Sequence, residues 1–193
     1  MWAVGTVRGS HGQASLAQRL CPSQPSISGF VPEVVTTSYG TGIAWSVPDD
    51  DGGTYRLVDA TGLGLFDSGP LTATDTFALD FPVSGTYAVT DVTSGTTQTI
   101  RVRPAARERS RLGAGTIRVI WAAGRIPTGL VADVQVRRPG RGPWGVLAWG
   151  TDRITAFFAA DAGAGRYAFR ARLRDPGTGA SSDWSPPAHV TIG

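Results

Sequence analysis

Hydrophobic positions along this chain recur with a period of two, in short runs separated by clusters of turn-forming residues. The runs fall at 42–47, 55–58, 76–81, 85–89, 97–102, 116–121, 132–137, 154–158, 166–174 and 189–192. Gly, Pro and Asp separate them, which is the pattern of half-buried strands joined by turns. The clearest alternation lies in 166–174. There Tyr167, Phe169, Ala171 and Leu173 take one face and Arg170, Arg172 and Arg174 the other. Side chains of a strand alternate between faces, so the apolar set points inward and the arginines outward. Val134 and Val136 likewise turn Arg137 outward. Helical spacing is confined to 15–20, too short to stand alone. No apolar run approaches the roughly 18 residues of a membrane-crossing helix.

Regular short strands between turns predict an all-β chain built of sandwiches. The 193 residues suffice for two such domains. The composition breaks at 104–115 (PAARERSRLGAG), a polar, charged, Gly-ended stretch that reads as a linker. Charge divides at the same place. Residues 1–103 carry 5 Arg against 9 acidic residues, a net charge of −4. Residues 104–193 carry 13 Arg against 6 acidic residues, a net charge of +7. The expected organisation is therefore a disordered leader or a misassigned start at 1–25, a first domain at 26–103, the linker at 104–115 and a second domain at 116–193. The leader has no apolar segment of signal-peptide length. Leu20-Cys21 lacks the small residue and the upstream apolar run of a lipidation box.

The side-chain inventory excludes much chemistry. All 18 basic residues are Arg, so lysine Schiff bases and phosphate-loop lysines are absent. One Cys, Cys21, cannot form an intrachain disulfide, and two His, His11 and His189, lie at opposite ends of the chain. No nucleophile elbow or zinc spacing occurs. No catalytic residue and no cofactor are therefore assigned, and the protein is expected not to be an enzyme. Asp49, Asp50 and Asp51 lack the alternate-residue spacing of a calcium loop and read as a turn completed by Gly52 and Gly53. Asp59 and Asp67 read as turn caps rather than a catalytic carboxylate pair.

Phe30-Val31-Pro32, Gly40, Trp45, the run Gly62-Leu63-Gly64-Leu65-Phe66-Asp67-Ser68-Gly69 and Gly85-Thr86-Tyr87 follow one another in a distinctive order. Over about 75 residues this order and spacing resembles the bacterial plastocyanin-like cupredoxins. That family binds copper through two His, one Cys and a weak axial Met. The resemblance puts Tyr55 at the first His position, Asp91 at the Cys and Ser94 at the second His. Met would fall at 95–97, and no Cys, His or Met occurs from 30 to 102. The expectation is a cupredoxin-like Greek key that has lost its metal, with copper handling as the alternative reading.

In the second half, Trp121 closes a strand, Tyr167-Ala168-Phe169-Arg170-Ala171-Arg172 alternates, and Trp184-Ser185-Pro186 precedes the last strand. Across about 80 residues this resembles an immunoglobulin-like fibronectin type III domain. In that fold the strands carrying Arg137 and Arg170, Arg172 and Arg174 share a sheet. These four arginines and Trp184 are the candidate binding residues. Three readings stand. Trp184 packs against Arg170 or Arg172 in a structural ladder. The arginines dock an anionic polymer, an envelope component or a protein. Or they contact the acidic first domain. Nucleic-acid binding ranks low, because Tyr167 and Phe169 face the core and not the arginines. Trp144 and Trp149 read as hairpin packing, and their exposure keeps a carbohydrate-binding module as a further alternative. Both resembled families are commonly exported. The expectation is thus a secreted or envelope-associated binding and scaffolding protein of a bacterium.

Overall fold

The computed structural model describes residues 33–47, 52–109, 115–140 and 142–193. The leader, His11, Cys21, the run Phe30-Val31-Pro32, Asp49 to Asp51 and Arg141 lie outside the described residues. Thirteen strands are formed among the described residues, with no helix.

The first half contains β1 (Val34–Ser38), β2 (Ile43–Ser46), β3 (Leu57–Asp59), β4 (Thr76–Leu79), β5 (Gly85–Asp91) and β6 (Thr97–Arg103). They make one sheet in the order β1-β6-β5-β3 and a second of β2 and β4. β1 runs parallel to β6, while the other pairs are antiparallel. Strand β5 shows strict alternation of buried and half-buried positions, as its period-two sequence requires. Trp45, Leu57, Tyr87, Val89 and Ile100 close the core between the sheets, each at most 1% exposed. The buried indole of Trp45 donates to Gln98 Oε1 at 2.7 Å, so neither polar group is left unsatisfied.

The second half contains β7 (Ala105–Glu108), β8 (Thr116–Ile120), β9 (Val131–Arg137), β10 (Gly145–Thr151), β11 (Thr155–Ala159), β12 (Gly165–Arg174) and β13 (Ala188–Ile192). One sheet runs β10-β9-β12-β13 and the facing sheet β11-β8-β7. Ile117, Val119, Trp121, Val134, Val136, Tyr167, Phe169 and Leu173 fill the space between them. Trp121 donates its indole N–H to the Arg153 carbonyl at 2.7 Å. Both halves pin the start of a core strand with a tyrosine hydroxyl. Tyr87 donates to the Val83 carbonyl at 2.5 Å and Tyr167 to the Gly163 carbonyl at 2.9 Å. Each bond reaches back four residues, a tyrosine-corner device of β-sandwiches.

The first part of the expected linker is not a free connector. Ala105–Glu108 pair antiparallel with β8 and form the edge of the second sandwich. The halves also meet directly. Ser84 N–H and Oγ both donate to the Trp121 carbonyl, at 2.7 and 3.0 Å. Thr86 and Asp183 exchange backbone hydrogen bonds at 2.9 Å in both directions. Thr86 Oγ1 donates to the Trp184 carbonyl at 3.0 Å. Gly85 is required at this joint, since a Cβ there would lie 2.5 Å from Ser182 Oγ. The four ion pairs of the described residues each stay within one half. The joint is thus built from backbone and hydroxyl hydrogen bonds, and among the described residues the −4/+7 charge asymmetry of the sequence supplies no ion pair to it. No helix of the described residues is long and apolar enough to cross a membrane.

Candidate functional site: a tryptophan–arginine face

Two places bear on function, and the first is where the resemblance to cupredoxins would put copper. Asp91 is fully buried at the end of β5. Its Oδ1 accepts from Arg56 N–H at 3.0 Å and Thr93 N–H at 3.1 Å. Its Oδ2 accepts from Ser94 N–H at 3.0 Å and Ser94 Oγ at 2.6 Å. Burial pushes this carboxyl up, but the bonds from Ser94, Arg56 and Thr93 outweigh it and hold it below the ordinary range. Tyr55 sits in an isolated bridge with Leu71, and Ser94 also shares a hydroxyl bond with Thr96 at 2.7 Å. These three residues offer a phenol, a carboxylate and a hydroxyl. The carboxylate and the serine hydroxyl are already engaged. A blue-copper ion needs a thiolate and imidazoles, so the donors here do not fit it. Asp91 instead fixes the β5–β6 turn.

Asp59 and Asp67 do not act as a pair. Asp59 caps its own turn through Thr61 and Leu65 N–H. Asp67 accepts from Gly69 N–H and pairs with Arg56. The Arg56 bond, helped by Gly69, draws the Asp67 carboxyl down to about 2.

The second place is the outer face of the β10-β9-β12-β13 sheet. Register sets the rows: Arg170 lies opposite Gln135, Arg172 opposite Asp133, and Ala168 opposite Arg137. Above these rows four guanidiniums and three indoles alternate. Arg137 lies 4.9 Å from the centre of Trp144, and Arg170 lies 4.2 Å from the same ring. Arg170 and Arg172 flank Trp184 at 4.6 and 4.8 Å. Arg172 and Arg174 flank Trp149 at 5.4 and 5.5 Å. The order is Arg137, Trp144, Arg170, Trp184, Arg172, Trp149, Arg174. All six contacts fall within the range of cation–π attraction, each worth about 0.5–2 kcal/mol.

The stack is anchored from below. Asp133 is fully buried and accepts four bonds. They come from Gly150 N–H, Arg172 Nε and Arg174 Nε and Nη2, at 2.8–3.1 Å. Burial pushes its carboxyl up, yet Arg174, Gly150 and Arg172 together hold it below the ordinary range. Arg170 has no such carboxylate and donates Nε and Nη2 to Gln135 Oε1 at 2.9 and 2.7 Å. Burial, with Arg137 and Arg172 nearby, lowers its pKa.

Each indole is brought in by a separate local device. β10 breaks register between Val146 and Ala148 and again between Ala148 and Thr151. Such irregularities re-aim side chains. Here Gly150 takes φ +61° and turns its N–H to Asp133, leaving Trp149 over the arginines. Trp184 rides on a strap at 181–185 beside β12. Ser182 N–H donates to the Leu173 carbonyl, and Leu173 N–H donates to Ser182 Oγ. Ser185 repeats the pattern with Ala171. The serine hydroxyls accept where a strand carbonyl would, which leaves the backbone of Asp183 free to bond Thr86.

Solved structures that match parts of this chain include cupredoxins and fibronectin type III domains. A purple cupredoxin from Nitrosopumilus maritimus shares 23% identity, over 37% of this chain and 79% of its own, with a TM-score of 0.34. An amicyanin variant shares 12% over 45% of this chain and 88% of its own, with a TM-score of 0.39. The FN1–FN3 domains of chicken CNTN1 share 9%, over 82% of this chain and 62% of their own, at a TM-score of 0.36. No protein-family model and no curated protein matches. The all-β, two-sandwich architecture therefore rests on the strand topology given above.

The second half brings together all five candidate binding residues, Arg137, Arg170, Arg172, Arg174 and Trp184. Trp184 contacts both Arg170 and Arg172, where sequence reasoning expected either one. Trp144 and Trp149 are corrected: they are rungs of the stack rather than packing of a hairpin. The signal was present in three tryptophans facing three arginines at alternate positions. It was hidden because the β10 irregularities break the period that assigns Trp149 to a face. The first half contributes the contact beneath Trp184, through Thr86.

Proposed function

We propose that this protein is a non-catalytic binding and scaffolding module, secreted or attached to the cell envelope, that docks an anionic polymer on its tryptophan–arginine face. The observation that carries this reading is the charge of that face. It presents Arg137, Arg170, Arg172 and Arg174 in one stack, and Asp133 is the carboxylate bonded within it. Asp133 compensates Arg172 and Arg174, so the Arg137–Arg170 end keeps a positive surplus. The stack holds the cations in place before any partner arrives, which lowers the entropy cost of docking. Sugar stacking on the indoles is disfavoured, because each ring is already flanked by two guanidiniums.

The test is retention of the full chain on an immobilised anionic polysaccharide. Retention should fall as salt rises, because screening acts over about 8–10 Å at physiological ionic strength. The double variant Arg137→Glu, Arg166→Glu reverses charge at the surplus end, where exposed Arg166 lies on the outward face of β12, and leaves Asp133 and its partners untouched. It should elute at about half the salt or less. Elution of this variant with the wild type would overturn the reading.

A further inference from the structure

We propose that Arg137, Arg166 and His189, with Arg103 from the first half, form a binding site for a multiply charged oxyanion, a phosphate or sulfate group. The proposal rests on the docking reading above and names the group that would anchor the polymer. Three neighbouring strands build the site. Arg137 on β9, Ala168 on β12 and His189 on β13 lie side by side in register, so they share the outer face. Arg166 lies two residues before Ala168 on that same face. Ala168 is only 3% exposed although it points outward. Its methyl is thus a floor covered by the longer side chains around it. Arg103 ends β6, one residue before β7, which neighbours β13, and its charge is felt at His189 after those of Arg166 and Arg137.

Among the described residues these charges have no ion-pair partner: none of the ion pairs includes Arg103, Arg137 or Arg166. The carboxylate on this face, Asp133, sits two rows along and is already bound to Arg172 and Arg174. β7 carries Arg107 and Glu108, both exposed. His189 feels partial burial, Arg166, Arg137 and Arg103, all of which disfavour its protonation. A singly charged carboxylate would leave most of this repulsion in place. A dianionic oxyanion relieves it, offers enough acceptors for several guanidiniums, and lets His189 gain a proton and donate as well.

The experiment follows the His189 imidazole by NMR in the full chain, with His11→Ala to assign it. In sodium chloride the imidazole should titrate below the ordinary histidine value of about 6.5. Inorganic sulfate or inorganic phosphate at matched ionic strength should raise that value by about half a unit or more. Acetate should raise it no more than chloride. Arg166→Gln should weaken the apparent sulfate affinity about tenfold with an unchanged melting curve. A shift in sulfate equal to that in chloride would mean screening alone and would overturn the site. If the polymer column still retains the protein in that case, the docking reading survives and only the anchor fails. Loss of both would sink both.

Discussion

Asp91 and Asp133 are both fully buried, both accept four hydrogen bonds, and both are held below the ordinary carboxylate range. Their donors differ. Asp91 is held by neutral groups, three of them from Thr93 and Ser94 next to it in sequence. Asp133 is held mainly by two guanidiniums, 39 and 41 residues away. The first carboxylate spends its charge on folding one turn. The second ties two strands and the indole stack above them. Equal burial therefore produces a local staple in one half and a long-range anchor in the other. Position in the network, more than depth, decides what a buried charge is worth.

Acid tests both at once and should have the largest effect. Because both folded pKa values are depressed, the unfolded chain takes up protons first as pH falls. The stabilisation is complete above the ordinary carboxylate pKa of about 3.9 and is lost as pH drops through the lower folded values. Near-UV circular dichroism of the indoles should hold steady from neutral pH to about pH 4.5 and collapse below about pH 3.5. A collapse already complete near pH 6 would show that a group other than these two governs stability.

Substitution separates them. Asp133→Ala strands two part-buried guanidiniums that donate three bonds to it, and should cost about 3–5 kcal/mol in urea unfolding. Asp91→Ala strands backbone N–H groups that water can reach once the turn loosens, and should cost about 1–3 kcal/mol. Equal losses would mean that the charge of the partners is irrelevant and would break the comparison. Trp149→Ala should have the smallest effect, about 0.5–1 kcal/mol, since the ring is 53% exposed and its guanidiniums keep Asp133. A melting shift as large as that of Asp133→Ala would make the indole the true anchor.

Ten strands were legible in the sequence because their alternation is clean, and the 166–174 run was placed almost to the residue. Three strands were not. Edge position alone does not explain the misses, since β3, β11 and β13 are edge strands too; β10 was hidden because its two register irregularities break the period. β7 reads as linker because Ala105-Ala106-Arg107-Glu108 is polar and helix-friendly, and only pairing with β8 makes it a strand. The outward arginines were legible from parity alone. Their partners were not, because Asp133 sits in the period like any exposed polar residue. Only the register brings it beneath Arg172 and Arg174.

The strap at 181–185 is hydrogen-bonded along both of its edges, to β12 on one side and to Thr86 on the other. This limits how the gene could be shuffled. A fragment beginning after residue 103 would keep the stack but bare one edge of its middle support, and one beginning at 116 would also lose β7. Grafting the second sandwich onto another protein would then require a surrogate for Ser84, Gly85 and Thr86. The two sandwiches thus behave as one structural unit at this strap.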